Sequence, residues 1–327
     1  MKTEKLTQLI KKGTEEQLAG NFTKAEETYR KILKEKDGPV IHNNLGFLFL
    51  QMKNYPEAIA EFKKAIQQKP DYATAYKHLG YAYFLSGESQ LAIEATKECF
   101  GIDPTNADVA ETLAKFYFVN NQWNLTAYYR KCAYELSGKT ENLTEMAYAL
   151  MMENNYQEAI NTLQYVLSIP DSNSSRTLSL LGTAYMMTHN IGLAISTYKK
   201  ALGLEPENIE ARNNMALCLL QTGSTSEAML EFKRVIMLDY EHLDARNNLA
   251  VLELATGQNE SALQHFDVIL NHQPYNAKAL YYKSGILFQQ EKFDESKDLL
   301  EKLISTPDEN YKSKANEMLS NIKDLKN

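Results

Sequence analysis

Between His42 and Pro70 the apolar and small residues return every three or four positions: Leu45, Gly46 and Phe49, then Ala58, Phe62 and Ala65. That period puts each set on one face of a helix, so the stretch predicts two amphipathic helices joined by a short turn. The set recurs about every 34 residues. It returns as Leu79, Gly80, Tyr83 and Ala92, then as Leu181, Gly182, Tyr185, Ala194, Tyr198 and Ala201. It returns again as Met215, Ala216, Leu219, Ala228 and Phe232, and as Leu249, Ala250, Ala262 and Phe266. Strand alternation is absent, which excludes a β fold.

Within each unit a small residue faces a large one. Gly46, Gly80, Gly182, Ala216 and Ala250 on the first helix let Phe62, Tyr198, Phe232 and Phe266 on the second pack closely. Gly20, Gly87, Gly223 and Gly257 fall at the turn between the two helices, where a left-handed residue ends the first. Nine units begin near Leu6, Pro39, Ala73, Ala107, Thr140, Ser175, Ile209, Leu243 and Ala277. A last amphipathic helix, about 309–326, reads as a solvating cap, and the whole of 1–327 reads as one array.

This pattern resembles the tetratricopeptide repeat, matching its L-G-x-x-Y, A-x-x-x-F, A and P positions over essentially the whole chain. The resemblance implies an all-α, right-handed superhelical solenoid of antiparallel helix pairs. It also implies that the first helix of each pair lines a concave face, with positions 2, 5, 6, 9, 12 and 13 of each unit turned inward. On this chain those positions carry Phe47, Tyr81, Tyr148 and Leu217 at position 9. Position 12 carries Leu50, Phe84, Phe118, Met151, Met186, Leu220 and Leu254. Asn213 and Asn247 stand at position 5, and Asn44, Asn214 and Asn248 at position 6. Together they form the expected groove: an apolar wall rich in Met and aromatic residues, rimmed by amides that can bond a peptide main chain.

The fourth unit is irregular. Its second helix fits the pattern only if the turn loses one residue, with Leu125, Tyr129 and Cys132 then at the core places. Trp123, Tyr128 and Tyr129 gather there as a candidate self-association patch, since exposed aromatic surface usually means contact.

Composition narrows the function. A formal net charge of −7 argues against nucleic acid as the main partner. No apolar run approaches membrane-spanning length, and the charged start has no signal-like core, so a cytoplasmic location is expected. Cys99, Cys132 and Cys218 show no metal or redox spacing and read as apolar packers. The histidines form no HExxH, and neither GxxxxGK[ST] nor GxGxxG occurs. No catalytic residue, metal site or cofactor is expected.

The expected function is therefore a non-enzymatic scaffold or adaptor. It binds a peptide or helix of another protein, apolar with basic flanks because Asp108, Glu111, Glu141 and Glu145 lie along the groove. The alternatives are a peptide-sensing regulator, a substrate-recruiting subunit of a separately encoded enzyme, or a secretion or pilus assembly factor. Family clamps for the acidic chaperone C-terminus need Lys and Asn at fixed places. Here Lys77 is accompanied by Tyr81, Thr112, Glu141 and Glu145, which would repel a carboxylate.

Overall fold

The computed structural model describes residues 3–326; Met1 and Lys2, at the head of the charged start, and Asn327 lie outside the described residues. The chain is all-α, and no strand occurs among the described residues. It divides into two compact units, one ending at Ser172 and the other beginning at Asn173.

The first unit holds five helix pairs. Its first helices are α1 (Thr3–Leu18), α3 (Pro39–Gln51), α5 (Ala73–Leu85), α7 (Ala107–Val119) and α9 (Thr140–Met152). Their partners are α2 (Phe22–Glu35), α4 (Tyr55–Gln68), α6 (Ser89–Ile102), α8 (Trp123–Ser137) and α10 (Tyr156–Ser168). The second unit holds four more. Its first helices are α11 (Ser175–Met187), α13 (Ile209–Gln221), α15 (Leu243–Ala255) and α17 (Ala277–Gln289). They pair with α12 (Ile191–Leu204), α14 (Thr225–Leu238), α16 (Asn259–His272) and α18 (Phe293–Ile304). The closing helix α19 (Glu309–Lys326) packs on α18 through Ala315, Ile322 and Leu303.

The small-against-large packing is tight. A Cβ on Gly182 would lie 2.7 Å from the ring of Tyr198, and one on Gly46 would lie 2.7 Å from the ring of Phe62. These rings are fully buried, each contributing roughly 1.5–3 kcal/mol of apolar burial.

All nine pairs turn in the same way. The first helix ends on a left-handed residue, and the following N–H reaches back to a carbonyl five residues earlier, as Asn54 does to Phe49 at 2.9 Å. Glycine supplies that residue at Gly20, Gly87, Gly223 and Gly257 as expected, but Lys53, Asn121, Asn154, His189 and Glu291 supply it in the other five. A side chain there costs free energy that glycine avoids. Lys53→Gly and Glu291→Gly should therefore each raise stability by about 0.5–1 kcal/mol, after the loss to the freer unfolded chain. Urea midpoints would show it; a drop at both sites would mean the side chains make compensating contacts.

The fourth unit corrects the sequence reading. Its turn loses no residue: α8 starts at Trp123, as far beyond Ala107 as α6 starts beyond Ala73. The fully buried small residues are Thr126 and Ala133, whereas Cys132 is half-buried, as are Leu125 and Tyr129. The shortening lies after the second helix, at left-handed Gly138 and Lys139. The pattern looked shifted because Arg130 stands where Phe62 and Tyr198 stand elsewhere. Its Nη1 donates to Asn142 Oδ1 at 3.0 Å, and Asn142 Nδ2 donates to Glu111 at 3.0 Å, so the missing ring is replaced by a polar chain.

Three units carry a polar clamp at the fourth residue of the first helix. His42 joins Asp37 at 2.7 Å to Glu61 at 2.5 Å. Arg212 joins the Pro206 carbonyl to Glu231, and Arg246 joins the Tyr240 carbonyl, at 2.7 Å, to His265 Nδ1, at 3.0 Å. Each clamp ties the incoming loop to the second helix of its own pair. Leucine fills the place at Leu143, Leu178 and Leu280.

Candidate functional site

The first helices of each unit are linked sideways. Gln17 donates to Gln51 at 2.6 Å, His78 Nδ1 lies 2.9 Å from Asn43 Oδ1, and Lys278 donates to Asn248 at 3.2 Å. Positions 9 and 13 lie four apart, hence one above the other on the same helix face. In the first unit that face is open and apolar. Phe47, Tyr81, Leu85, Val119 and Met152 are exposed, Tyr81 by 46% and Val119 by 52%.

Position 12 behaves differently. Phe118 is exposed and Phe84 half-buried, its ring stacked on Phe116 at 4.6 Å. Leu50 and Met151 are buried, at 7% and 9%, and belong to the core rather than to an open wall. Position 12 sits beside the 9–13 line, not on it, so its side chain turns toward the neighbouring helix. Asn247 is buried as well, and Asn44 is half-buried.

Trp123 opens α8, yet its ring joins this face. It meets Phe118 edge-on at 5.3 Å and Tyr148 at 6.5 Å, while Phe118 and Tyr148 lie 6.0 Å apart. Tyr129 instead stacks on Tyr117 at 5.4 Å and meets Phe100, and Tyr128 packs edge-on against Tyr129. The three residues grouped by sequence thus enter two separate ring clusters. Four-residue spacing from position 9 would have found Leu85 and Val119; the sequence singled out Trp123 but grouped it with Tyr128 and Tyr129, and no spacing showed its contact with Tyr148.

In the second unit Met186, Leu217 and Leu220 come together with Met187, His189 and Gln221 around a cleft of about 530 Å³. Leu254 lines another, of about 660 Å³, with Tyr281, Tyr282, Phe288 and Met318. Gly285 stands at position 9 there, and a Cβ on it would meet only Met318 Cε, at 3.9 Å. Asn213 and Asn214 are half-buried, and the Oδ1 atoms of Asn213 and Asn247 have no partner among the described residues. Burial holds the Lys278 ammonium below the usual lysine range, beside Asn248.

The carboxylates differ among themselves. Asn142 and Lys139 hold Glu111 below the usual range, while Asp108 and Glu141 are exposed. Burial raises the thiols of Cys99 and Cys218, the latter to about 11, which makes both poor nucleophiles. No group of three or more His, Cys, Asp or Glu among the described residues could hold a metal ion. No helix of the described residues is long and apolar enough to cross a membrane. The face is suited to apolar contact with a few oriented amides.

Comparisons with known proteins bear on the repeat and the fold. A family pattern described as "TPR repeat" matches residues 48–87, and patterns described as "Tetratricopeptide repeat" match 73–106 and 185–252. The chain is 32% identical over 111 residues to the Small glutamine-rich tetratricopeptide repeat-containing protein 2 of Mycosarcoma maydis, covering 34% of this chain and 32% of that protein. It is 23% identical over 236 residues to the Peroxisomal targeting signal receptor of Kluyveromyces lactis, covering 59% of this chain and 42% of that one. The chain thus spans less than half the length of either relative. A chain in the solved structure of Naa15/Naa10 bound to HypK-THB shares the fold, with a TM-score of 0.58 and 16% identity over 98% of this chain and 51% of that one. With nine helix pairs and a closing helix among the described residues, and repeat patterns matching residues 48–106 and 185–252, this chain is built of tetratricopeptide repeats.

Proposed function

We propose that this chain is a non-enzymatic adaptor that holds a peptide or helix of a partner protein against the first-helix face of its repeats. The carrying observation is the run of exposed apolar side chains at positions 9 and 13, from Phe47 and Tyr81 to Val119 and Met152 in one unit and Met187 in the other. Soluble surfaces seldom keep so much apolar area uncovered without a partner. Burying three or four such anchors, less the cost of ordering a flexible segment, corresponds to roughly micromolar binding. Asp108 and Glu141, exposed at the starts of α7 and α9, favour basic flanks on that segment. The likeness to a receptor for a peroxisomal targeting signal supports recognition of a short segment. A cytoplasmic location accompanies this reading.

The test is a triple variant, Tyr81→Glu, Val119→Glu and Met187→Glu, at exposed positions only. It should melt within a few degrees of wild type, because each change costs about 0.5 kcal/mol or less. Partner capture by affinity purification should be abolished. Ala194→Glu, which buries a charge at a fully enclosed position, should unfold its neighbourhood and serves as the control. Retention of every partner by the folded triple variant would sink the proposal.

A further inference from the structure

Between the fourth and fifth pairs, three rings fill one place on the first-helix face. Phe118 stands at position 12 of the fourth pair, Trp123 opens its second helix, and Tyr148 stands at position 9 of the fifth. Trp123 lies 5.3 Å from Phe118 and 6.5 Å from Tyr148, so the chain closes this place with its own side chains. The same three places recur between the eighth and ninth pairs, where they hold Leu254, Asn259 and Gly285. There the chain supplies no ring. What remains is the cleft of about 660 Å³, which these three residues line together with Tyr282, Phe288 and Met318.

Gly285 leaves the cleft open. Position 9 carries a side chain in every other pair. No contact inside the protein calls for glycine, since a Cβ there would meet only Met318 Cε, at 3.9 Å. Glycine inside a helix lowers stability relative to alanine. The cleft beside Leu217, which does carry a side chain at position 9, is smaller, at about 530 Å³.

The walls are fixed by their own packing. Tyr282 stacks on Phe266, with centroids 6.0 Å apart and planes 9° from parallel, and Phe288 meets Phe293 at 5.4 Å. Met318 reaches over from α19, its sulfur 3.9 Å from the Ser284 hydroxyl. A guest therefore binds without first ordering the walls. Ring edges and faces favour an aromatic guest over an aliphatic one, and a thioether adds to that preference. Asn259, at the place of Trp123, brings an amide that can accept a bond from an indole N–H.

We propose, resting on the first-helix face as the binding face, that this cleft takes a tryptophan side chain of the partner segment. The partner thereby supplies the ring that the chain supplies for itself at Trp123 and Tyr148.

The probe is N-acetyl-tryptophanamide, and the readout is the methionine methyl resonances of the isotope-labelled protein followed by NMR. A ring beside Gly285 should shift the Met318 methyl through its ring current, saturably at millimolar concentration. Met186 and Met187, at the smaller cleft, should respond less. N-acetyl-leucinamide should need roughly fivefold more than an equal concentration to reverse the Met318 shift. Gly285→Tyr with Asn259→Trp rebuilds the filled arrangement of the fourth and fifth pairs. It should raise the melting temperature and abolish the response to the probe. Gly285→Leu alone should do the same, and it covers the case in which two added rings crowd the cleft. The triple first-helix variant should respond at Met318 as wild type does while losing partner capture, so failure of the cleft and failure of the adaptor reading are seen apart. No saturable response at Met318, an equal response at Met186 and Met187, reversal by leucinamide at equal concentration, or an unchanged response in both glycine variants would overturn the proposal. So would concentration-dependent self-association that Gly285→Leu abolishes, which would make the occupant a second copy of this chain.

Discussion

Arg212→Leu should destabilise the second unit by about 3 kcal/mol, and adding Glu231→Leu should recover most of the loss. Both side chains are nearly enclosed, at 11% and 9% exposure, and they bond directly to each other. Arg212 also donates to the Pro206 carbonyl at 2.5 Å. Removing the guanidinium leaves Glu231 charged and largely buried, with only the half-exposed Arg234, at 2.6 Å, to answer it. The remaining Arg234 contact keeps the loss at the low end of the range for a broken buried pair. Taking away both charges removes the desolvation penalty along with the attraction. Leucine already serves at this place in Leu143, Leu178 and Leu280, so the repeat accepts it sterically. Urea denaturation of the two variants against wild type measures the effect. A double variant as unstable as Arg212→Leu would mean that the Pro206 contact, not the ion pair, carries the stability.

Acidification should weaken the first unit through His78. Its ring lies against Phe47, with centroids 4.9 Å apart, and against Phe62 at 5.5 Å, with Nδ1 bonded to Asn43. Burial pulls its pKa from 6.5 to about 4, and the neighbouring Lys77 adds to the depression. Between those values the unfolded chain binds a proton that the folded one refuses, so stability falls as pH falls. The contribution is intact above about pH 6.5 and lost by about pH 4, a difference of roughly 3 kcal/mol. His78→Asn removes the titration while keeping a group able to bond Asn43; asparagine stands at the same position in Asn44, Asn214 and Asn248. The stability difference between wild type and His78→Asn, followed from pH 7 to pH 4 by urea midpoints, should shift steadily in favour of the variant. A constant difference would show that His78 protonates inside the fold without cost.

These effects arise in residues whose importance the linear pattern does not display. Arg212 and Glu231 read as polar surface until the fold buries them together. Periodicity was more telling for the helices themselves. The first helices from α3 onward begin at Pro39, Ala73, Ala107, Thr140, Ser175, Ile209, Leu243 and Ala277, where the recurring small and large residues place them. The closing helix occupies Glu309–Lys326. A three- and four-residue spacing is sufficient here because helices form locally, and each pair buries its stripe against its neighbours.

What depended on tertiary structure is of another kind. Lys53 and Glu291 adopt left-handed turns because the reach-back hydrogen bond and the packing of the pair outweigh their side-chain preference. Arg130 could occupy an aromatic place only because Asn142 of the following pair receives it. The sequence by itself determined the class of fold and the number of pairs, since both follow from local period, whereas the expectation that the first helix of each pair lines a binding face came from the family resemblance. Whether Met151 is wall or core and whether Trp123 joins Phe118 or Tyr128 were decided only when neighbouring helices met. Side-chain burial between helices depends on the residues arriving from the adjoining pair, which no single unit's spacing contains.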